Sequence, residues 1–392
     1  MTQSMLAHWL RLVLARGVGA ATQRNLLAAF GLPDAIFAAS RAALTAVVGA
    51  RMAQAVLDEP DTAQIERTLA WVDEPDNHLL TLADAEYPPA LLETDDPPVL
   101  LYVKGDVQAL HAANPLAIVG ARTATPQGLS NARAFAQQLA EDGWMVVSGL
   151  AQGIDAAAHE GALAAAQGRT VAFVGTGLDR VYPAAHRELA HRIAARGALV
   201  SEFALGTPPR PGHFPRRNRL IAGLARGVLV VEASLQSGSL ITARLALESG
   251  REVFAIPGSI HSPQARGCHR LIREGARLVE TMADILEELP PREHAARAPE
   301  VAASAPPAER PARRKKAPQH HDAPPASAPQ NAAAATDAEA QVLAAMGFDP
   351  VDFDAVAERC DLTAADLQVI LLQLEMAGKV GRMAGGLLQR LA

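Results

Sequence analysis

At 392 residues the chain exceeds what one hydrophobic core usually supports, so two or three domains are expected. Its composition, 49% hydrophobic but 4% aromatic with 29 glycines, suits an α/β architecture of small apolar residues better than an all-β one. A formal net charge of -6 excludes a globally basic nucleic-acid binder, so any such role has to rest on local clusters of arginine.

The two cysteines, Cys268 and Cys360, stand in no disulfide or zinc-ligand spacing, and no apolar run is long enough to span a bilayer. The expectation is a soluble cytoplasmic protein without a metal, a cofactor or a membrane contact. Over residues 1–75 apolar residues recur at helical spacing, as in Leu6, Trp9, Leu10 and Val13, between glycine-bearing turns. This reads as a small helical domain of helix-hairpin-helix or SAM-like type, with Gly17-Val18-Gly19 and Val48-Gly49 at its hairpins. Such turns serve packing more often than phosphate binding.

Residues 76–289 begin with a proline- and aspartate-rich connector and the apolar run Val99 to Val103, then settle into regular alternation. Leu116 to Val119, Met145 to Ser148, Thr170 to Val174, Ala198 to Ser201, Val228 to Val231 and Glu252 to Ile256 read as strands. Leu129 to Glu141, Asp155 to Ala166 and Leu240 to Ser249 read as amphipathic helices between them. Strand and helix in that rhythm predict a Rossmann-like parallel sheet covered on both faces.

Residues 290–335 are dominated by alanine, proline and charge, a composition that reads as a disordered linker, and Arg313-Arg314-Lys315-Lys316 within it as a solvated run. Residues 336–392 regain helical periodicity and end in a Gly-Gly turn between apolar stretches, the plan of a winged helix. The helix that would enter a DNA groove carries Asp366, Gln368, Gln373 and Glu375 and no base, so a protein contact is expected there.

The chemistry-bearing residues fall at strand ends, where open parallel sheets gather ligands. Gly120-Ala121-Arg122 follows the first strand of the alternating region; glycine admits a close anion and Arg122 can fork onto a phosphate. Ser148, Gly149 and Gly153 precede the next helix as an anion-ready nest, with Asp155 placed as its N-cap and His159 as a packing histidine. Gly175 and Gly177 follow the third strand, but Arg180 occupies the third small position of a dinucleotide fingerprint, which disfavours NAD. Tyr182 and Pro183 offer either a stacking face or cover for the sheet edge.

The strongest local signal is Pro211 to Leu224, where Phe214 precedes Arg216, Arg217, Asn218 and Arg219. Cations beside an aromatic platform suit a single strand of nucleic acid. Ser237-Gly238-Ser239 opens a later helix with hydroxyls and amides for an anion, while Glu232 stands without a second carboxylate, nucleophile or metal-ligand cluster to make a catalytic set.

Several long motifs in one order carry a family resemblance: IVGAR ending at Arg122, SGLAQGIDAAAH from Ser148, GTGLDRVYP from Gly175, SEF from Ser201, FPRRNRLIAGL from Phe214, VEASLQSGSLITA from Val231, GREVFAIPGS from Gly250 and GCHRLIREGA from Gly267. From about Tyr87 to Glu280 the chain resembles the DNA-processing protein A (DprA/Smf) family. The resemblance implies a non-enzymatic protein that binds single-stranded DNA, forms a homodimer through its Rossmann-like domain, and loads RecA recombinase onto incoming DNA in natural transformation, the competence pathway. It carries over Arg122, Phe214, Arg216, Asn218 and Arg219 as DNA-binding positions, with the glycine turns supplying amides. Many relatives have lysine and asparagine where this chain has Ala184 and His186, with Arg187 placed to substitute, and serine where it has Ala121. The competing reading is a nucleotide-processing enzyme of the LOG type, whose Pro-Gly-Gly-x-Gly-Thr loop is absent here: Pro257-Gly258 is followed by Ser259.

Overall fold

The computed structural model describes residues 2–292, 330–360, 362–383 and 385–391. The chain divides into two compact units between Arg292 and Glu293. Most of the span read as a linker, with its Arg313–Lys316 cluster, lies outside the described residues. Among the described residues no helix is long and apolar enough to cross a membrane.

The first unit opens with helices α1 (Gln3–Leu14), α2 (Ala20–Phe30), α3 (Pro33–Ala38), α4 (Arg41–Leu57) and α5 (Thr62–Val72). Thr2, Ser40 and Asp61 cap α1, α4 and α5 through their side-chain oxygens, taking amides that the first turn leaves unpaired. Gly49, with φ 79°, breaks α4 in two at the expected hairpin, a left-handed conformation that favours glycine.

The sheet that follows contains β1 (Asn77–Thr81), β2 (Leu100–Gly105), β3 (Pro115–Val119), β4 (Met145–Ser148), β5 (Thr170–Phe173), β6 (Ala198–Ser201), β7 (Gly227–Val230), β8 (Glu252–Ala255) and β9 (Arg277–Leu278). Its order is β1-β2-β6-β5-β4-β3-β7-β8-β9, parallel from β6 to β9. The expectation of a parallel sheet is corrected at one edge, where β2 pairs antiparallel with β6 and β1 antiparallel with β2. The helices are α6 (Pro89–Leu92), α7 (Pro126–Glu141), α8 (Ile154–Ala164), α9 (Arg187–Arg196), α10 (His213–Leu224), α11 (Ser239–Glu248), α12 (Arg266–Arg273) and α13 (Met282–Glu288).

Strand alternation sorts the core into layers. Leu116, Ile118, Val146 and Leu229 face α7, α8 and α13, while Ala117, Val119, Val147, Val171, Phe173 and Val228 face α10, α11 and α12. Both faces being buried, the central strands are apolar runs. Toward the antiparallel edge the first face is covered by α9 and by the N-terminal helices: Trp9, Leu10, Ile65 and Trp71 pack with Leu100, Tyr102, Ala172 and Leu199, and the Trp71 and Tyr102 rings lie 5.9 Å apart. The expected boundary at residue 75 therefore runs through a continuous core.

The chain first winds from β3 outward through β4, β5 and β6, then crosses back to β7 beside β3 and continues outward through β8 and β9. The loops after β3 and β7 consequently diverge, opening a crevice at the topological switch point.

The second unit consists of α14 (Gln330–Met346), α15 (Phe353–Cys360), α16 (Ala364–Met376) and a ribbon of β10 (Val380–Arg382) with β11 (Leu388–Arg390). Val351 makes a further bridge to Leu388, completing the winged-helix plan. Val342, Met346, Val356, Leu367, Leu371 and Leu374 form its core. Helix α14 starts at Gln330, inside the span read as linker, because the alanines at 332–335 are strong helix formers.

Candidate nucleic-acid interface

The switch-point crevice is a groove of about 590 Å³. Gly120 and Arg122 after β3 line one side, Ser237, Gly238 and Ser239 at the start of α11 another, and Tyr182, Phe214 and Asn218 face them. A smaller cavity of about 80 Å³ adjoins it, bounded by Arg122, Gly149, Gly175, Tyr182, Phe214 and Arg217.

The cation and the rings meet here. Arg122 is exposed, lies 5.3 Å from the centre of the Phe214 ring and forms no salt bridge among the described residues. Tyr182 lies 5.6 Å from Phe214, tilted by 39°, and is 44% exposed. Gly175 lies close beneath Phe214: a Cβ there would stand 3.1 Å from the ring, a tight contact. Asn218 sits one turn after Phe214 on α10 and donates weakly to the Gly238 carbonyl at 3.4 Å.

Other residues expected at the site hold it from behind. Ser148 is fully buried and its hydroxyl donates to the Ile118 carbonyl at 2.6 Å, clamping β4 to β3. Gly153, with φ 79°, packs against the Ala121 and Arg122 carbonyls, and the amide of Ile154 donates to Ala121 at 3.2 Å. Gly177 abuts the Ala204 carbonyl and does not line the groove.

Arg216 and Arg219, read as phosphate ligands, turn away from the groove. Arg216 donates to Glu202 at 3.0 Å and Arg219 to the same carboxylate at 2.5 Å; Arg219 also pairs with Asp96 at 3.4 Å and is 15% exposed. Asp96 in turn accepts from Arg24 of α2 at 2.5 Å. The physical reason is an acidic partner remote in sequence: Glu202 is almost wholly buried and draws both cations toward itself.

Arg217, absent from the expected ligands, is 3% exposed and central to the architecture. Its guanidinium donates to the carbonyls of Gly149 and, at 2.6 Å, Phe173, tying the ends of β4 and β5 together. Burial lowers its pKa to about 10 against the opposing charge of Asp155. Asp155 is no N-cap: Gly153 holds that position, and Asp155, in the first turn of α8, accepts from the Ala151 amide at 3.4 Å. Burial raises its pKa and Arg217 opposes the shift. Below it, His159 is fully buried with Nδ1 2.7 Å from the Thr170 hydroxyl, and burial, aided by Arg217, lowers its pKa to about 3. It is a packing histidine, as its position on the helix implied.

Ala184 and His186 bound a short 3₁₀ turn, and His186 donates from Nδ1 to the Leu150 carbonyl at 3.0 Å. Leu150 has φ 58°, so this bond steadies a left-handed residue in the nest after β4. Arg187 is exposed at the start of α9.

Glu232 after β7 reaches across to α7. Its carboxylate accepts from the Thr125 amide at 2.9 Å and hydroxyl at 2.5 Å, and so caps that helix instead of facing a reacting group. Among the described residues no group of three His, Cys, Asp or Glu could hold a metal ion.

The first unit is a doubly wound α/β domain with packed N-terminal helices and, at its switch point, an arginine over aromatic rings that has no salt bridge among the described residues; the second unit is a winged helix. Residues 78–290 match the DNA recombination-mediator protein A family, and residues 325–386 the DprA winged helix domain. The chain belongs to the DNA recombination-mediator protein A (DprA/Smf) family. It is 41% identical to Protein Smf of Escherichia coli (strain K12) over 343 residues, 86% of this chain and 83% of that one. It is 48% identical to DNA processing protein DprA of Streptococcus pneumoniae over 208 residues, 53% of this chain and 73% of that one. The X-ray structure of DNA processing protein A from Streptococcus pneumoniae superposes with a TM-score of 0.65 at 37% identity, covering 72% of this chain and 97% of that one.

Proposed function

We propose that the chain binds single-stranded DNA along the switch-point groove and acts, without catalysis of its own, as a recombination mediator that hands incoming DNA to the RecA recombinase in the cytoplasm during natural transformation. The observation that carries this reading is Arg122, without a salt bridge among the described residues, over Phe214 and near Tyr182. A phosphate takes the guanidinium while a base stacks on the rings, the combination that tracks a single strand. The relatives' names, which speak of DNA processing, support it. So does the fate of Glu232, whose carboxylate is engaged by Thr125 at the start of α7.

Within the proposal the ligand set is redistributed. Gly120, Arg122, Gly149, Gly175, Tyr182, Phe214, Asn218, Ser237, Gly238 and Ser239 face the strand, whereas Ser148, Gly153, Gly177, Arg216 and Arg219 set the frame. A homodimer is supported by Leu235 and Leu278, 49% and 45% exposed, which border a cavity on the α12 side of the sheet with Ile272. The winged helix is assigned a protein partner: α16 exposes Val369, Leu372 and Met376 among acidic and amide side chains.

The test is fluorescence anisotropy with a labelled oligothymidine and the matching duplex across a salt series. A preference for the single strand with steep salt dependence is expected. Equal affinity for the two forms, or release of free base from nucleoside monophosphates, would overturn the reading.

A further inference from the structure

In doubly wound sheets that bind dinucleotides, the helix leaving the switch-point strand turns its N-terminus to the pyrophosphate. Here that helix is α7, and its N-terminus is already filled. The Glu232 carboxylate takes the Thr125 amide at 2.9 Å and the Thr125 hydroxyl at 2.5 Å, while that hydroxyl accepts from the Gly128 amide at 3.0 Å. Gly128 completes the seat, because a Cβ there would run into the same carboxylate, 2.5 Å from Oε2. Thr125 and Gly128 are thus shaped around one anion position, and Glu232, remote from both in sequence, supplies the anion. The start of α11, which lines the groove, is different: Gly238 provides no side-chain cap, and the nearby hydroxyls of Ser237 and Ser239 lie 2.7 Å apart.

We propose that Glu232 is a built-in phosphate mimic that determines specificity, barring nucleoside diphosphates and dinucleotides from the switch point and leaving the groove to phosphodiester strands. A strand carries one charge per phosphate and lies across the groove between Arg122 and α11, so it needs no seat at α7. A diphosphate concentrates its charge and requires the start of α7, where Glu232 holds the Thr125 amide and hydroxyl and that hydroxyl holds the Gly128 amide. The inference rests on the strand-binding reading for what the groove accepts, but not for what it rejects.

Titration calorimetry with inorganic pyrophosphate and with ADP tests it on the full chain, the Glu232→Ala variant and the Glu232→Gln variant. Glu232→Ala, which vacates the seat and removes the charge, should gain at least tenfold in affinity for both probes. Pyrophosphate should also restore the thermal stability that the substitution removes. Glu232→Gln keeps the seat filled without the charge and should gain a smaller but measurable affinity, so the proposal stays testable if the alanine variant does not fold. Oligothymidine affinity should rise in both variants, because a negative charge beside the groove is gone. A folded variant with no gain for either probe overturns the proposal. If the unsubstituted chain binds no oligothymidine, the strand reading fails while the probe gains still decide the role of Glu232.

Discussion

The Arg217 guanidinium lies against Gly149, donating to its carbonyl and, 2.6 Å away, to that of Phe173. One buried cation thus spans the ends of two neighbouring strands and fixes the loops that border the smaller cavity. A Cβ at Gly149 would meet the guanidinium, so any larger residue there would displace this cation from its seat. Replacing Arg217 by methionine leaves two carbonyls and the Asp155 charge without their buried partner. Unfolding free energy, measured by urea denaturation, should fall by about 3–5 kcal/mol, and lysine should not restore it because a single ammonium cannot reproduce the planar fork.

Arg122 and Arg219 should separate cleanly. Arg122→Ala should weaken oligothymidine binding at least tenfold, about 1.4 kcal/mol, and reduce the slope of log affinity against log salt by about 0.7, with the thermal midpoint unchanged. Arg219→Ala should lower the thermal midpoint, because it strips the buried Glu202 of a partner at 2.5 Å. Anisotropy and thermal melts on the two variants check this pair.

Phe214→Ala should cost about 1–3 kcal/mol of strand affinity through lost stacking. Its salt slope should match that of the parent chain, since no phosphate contact is removed. A slope that changes with the ring would place a phosphate where a base is expected.

Acid should destabilise the first unit through His159. The folded state resists protonating this imidazole until about pH 3, whereas the unfolded chain takes the proton near 6.5. Between those values the unfolded state binds more protons, so stability falls as pH falls, by up to about 1.36 kcal/mol per pH unit from this group. Urea midpoints measured from pH 7 to pH 4 should show the decline, and His159→Gln should flatten it.

Deleting residues 330–392 should leave oligothymidine affinity within twofold, because α16 presents Asp366, Gln368, Gln373 and Glu375 and no base. A tenfold loss would assign the winged helix to DNA.

The central strands β3 to β8 were legible as apolar runs because both faces of a parallel sheet are buried, and the strand-end loops named the groove. Strand β1 was not legible: Asn77-His78 opens it with polar residues, although Asn77 is buried and donates to the Trp71 carbonyl at 2.8 Å. Within Arg216 to Arg219 composition could not say which cation faces the groove, but helical spacing could have. Arg217 shares the stripe of Leu220, Ile221 and Leu224, all buried, so it had to point inward; Phe214 and Asn218 share the next face. What no spacing could supply was Glu202 and Asp96, whose distance along the chain hides the pull they exert on Arg216 and Arg219.

The antiparallel edge has an evolutionary corollary. With Trp71 laid against Tyr102 and the N-terminal helices sharing the core of Leu100 and Leu199, those helices are not a module that a lineage can drop at will. A descendant that lost them would have to recolour that sheet face with polar side chains in the same step, or expose a bare apolar wall to every neighbour in the cell.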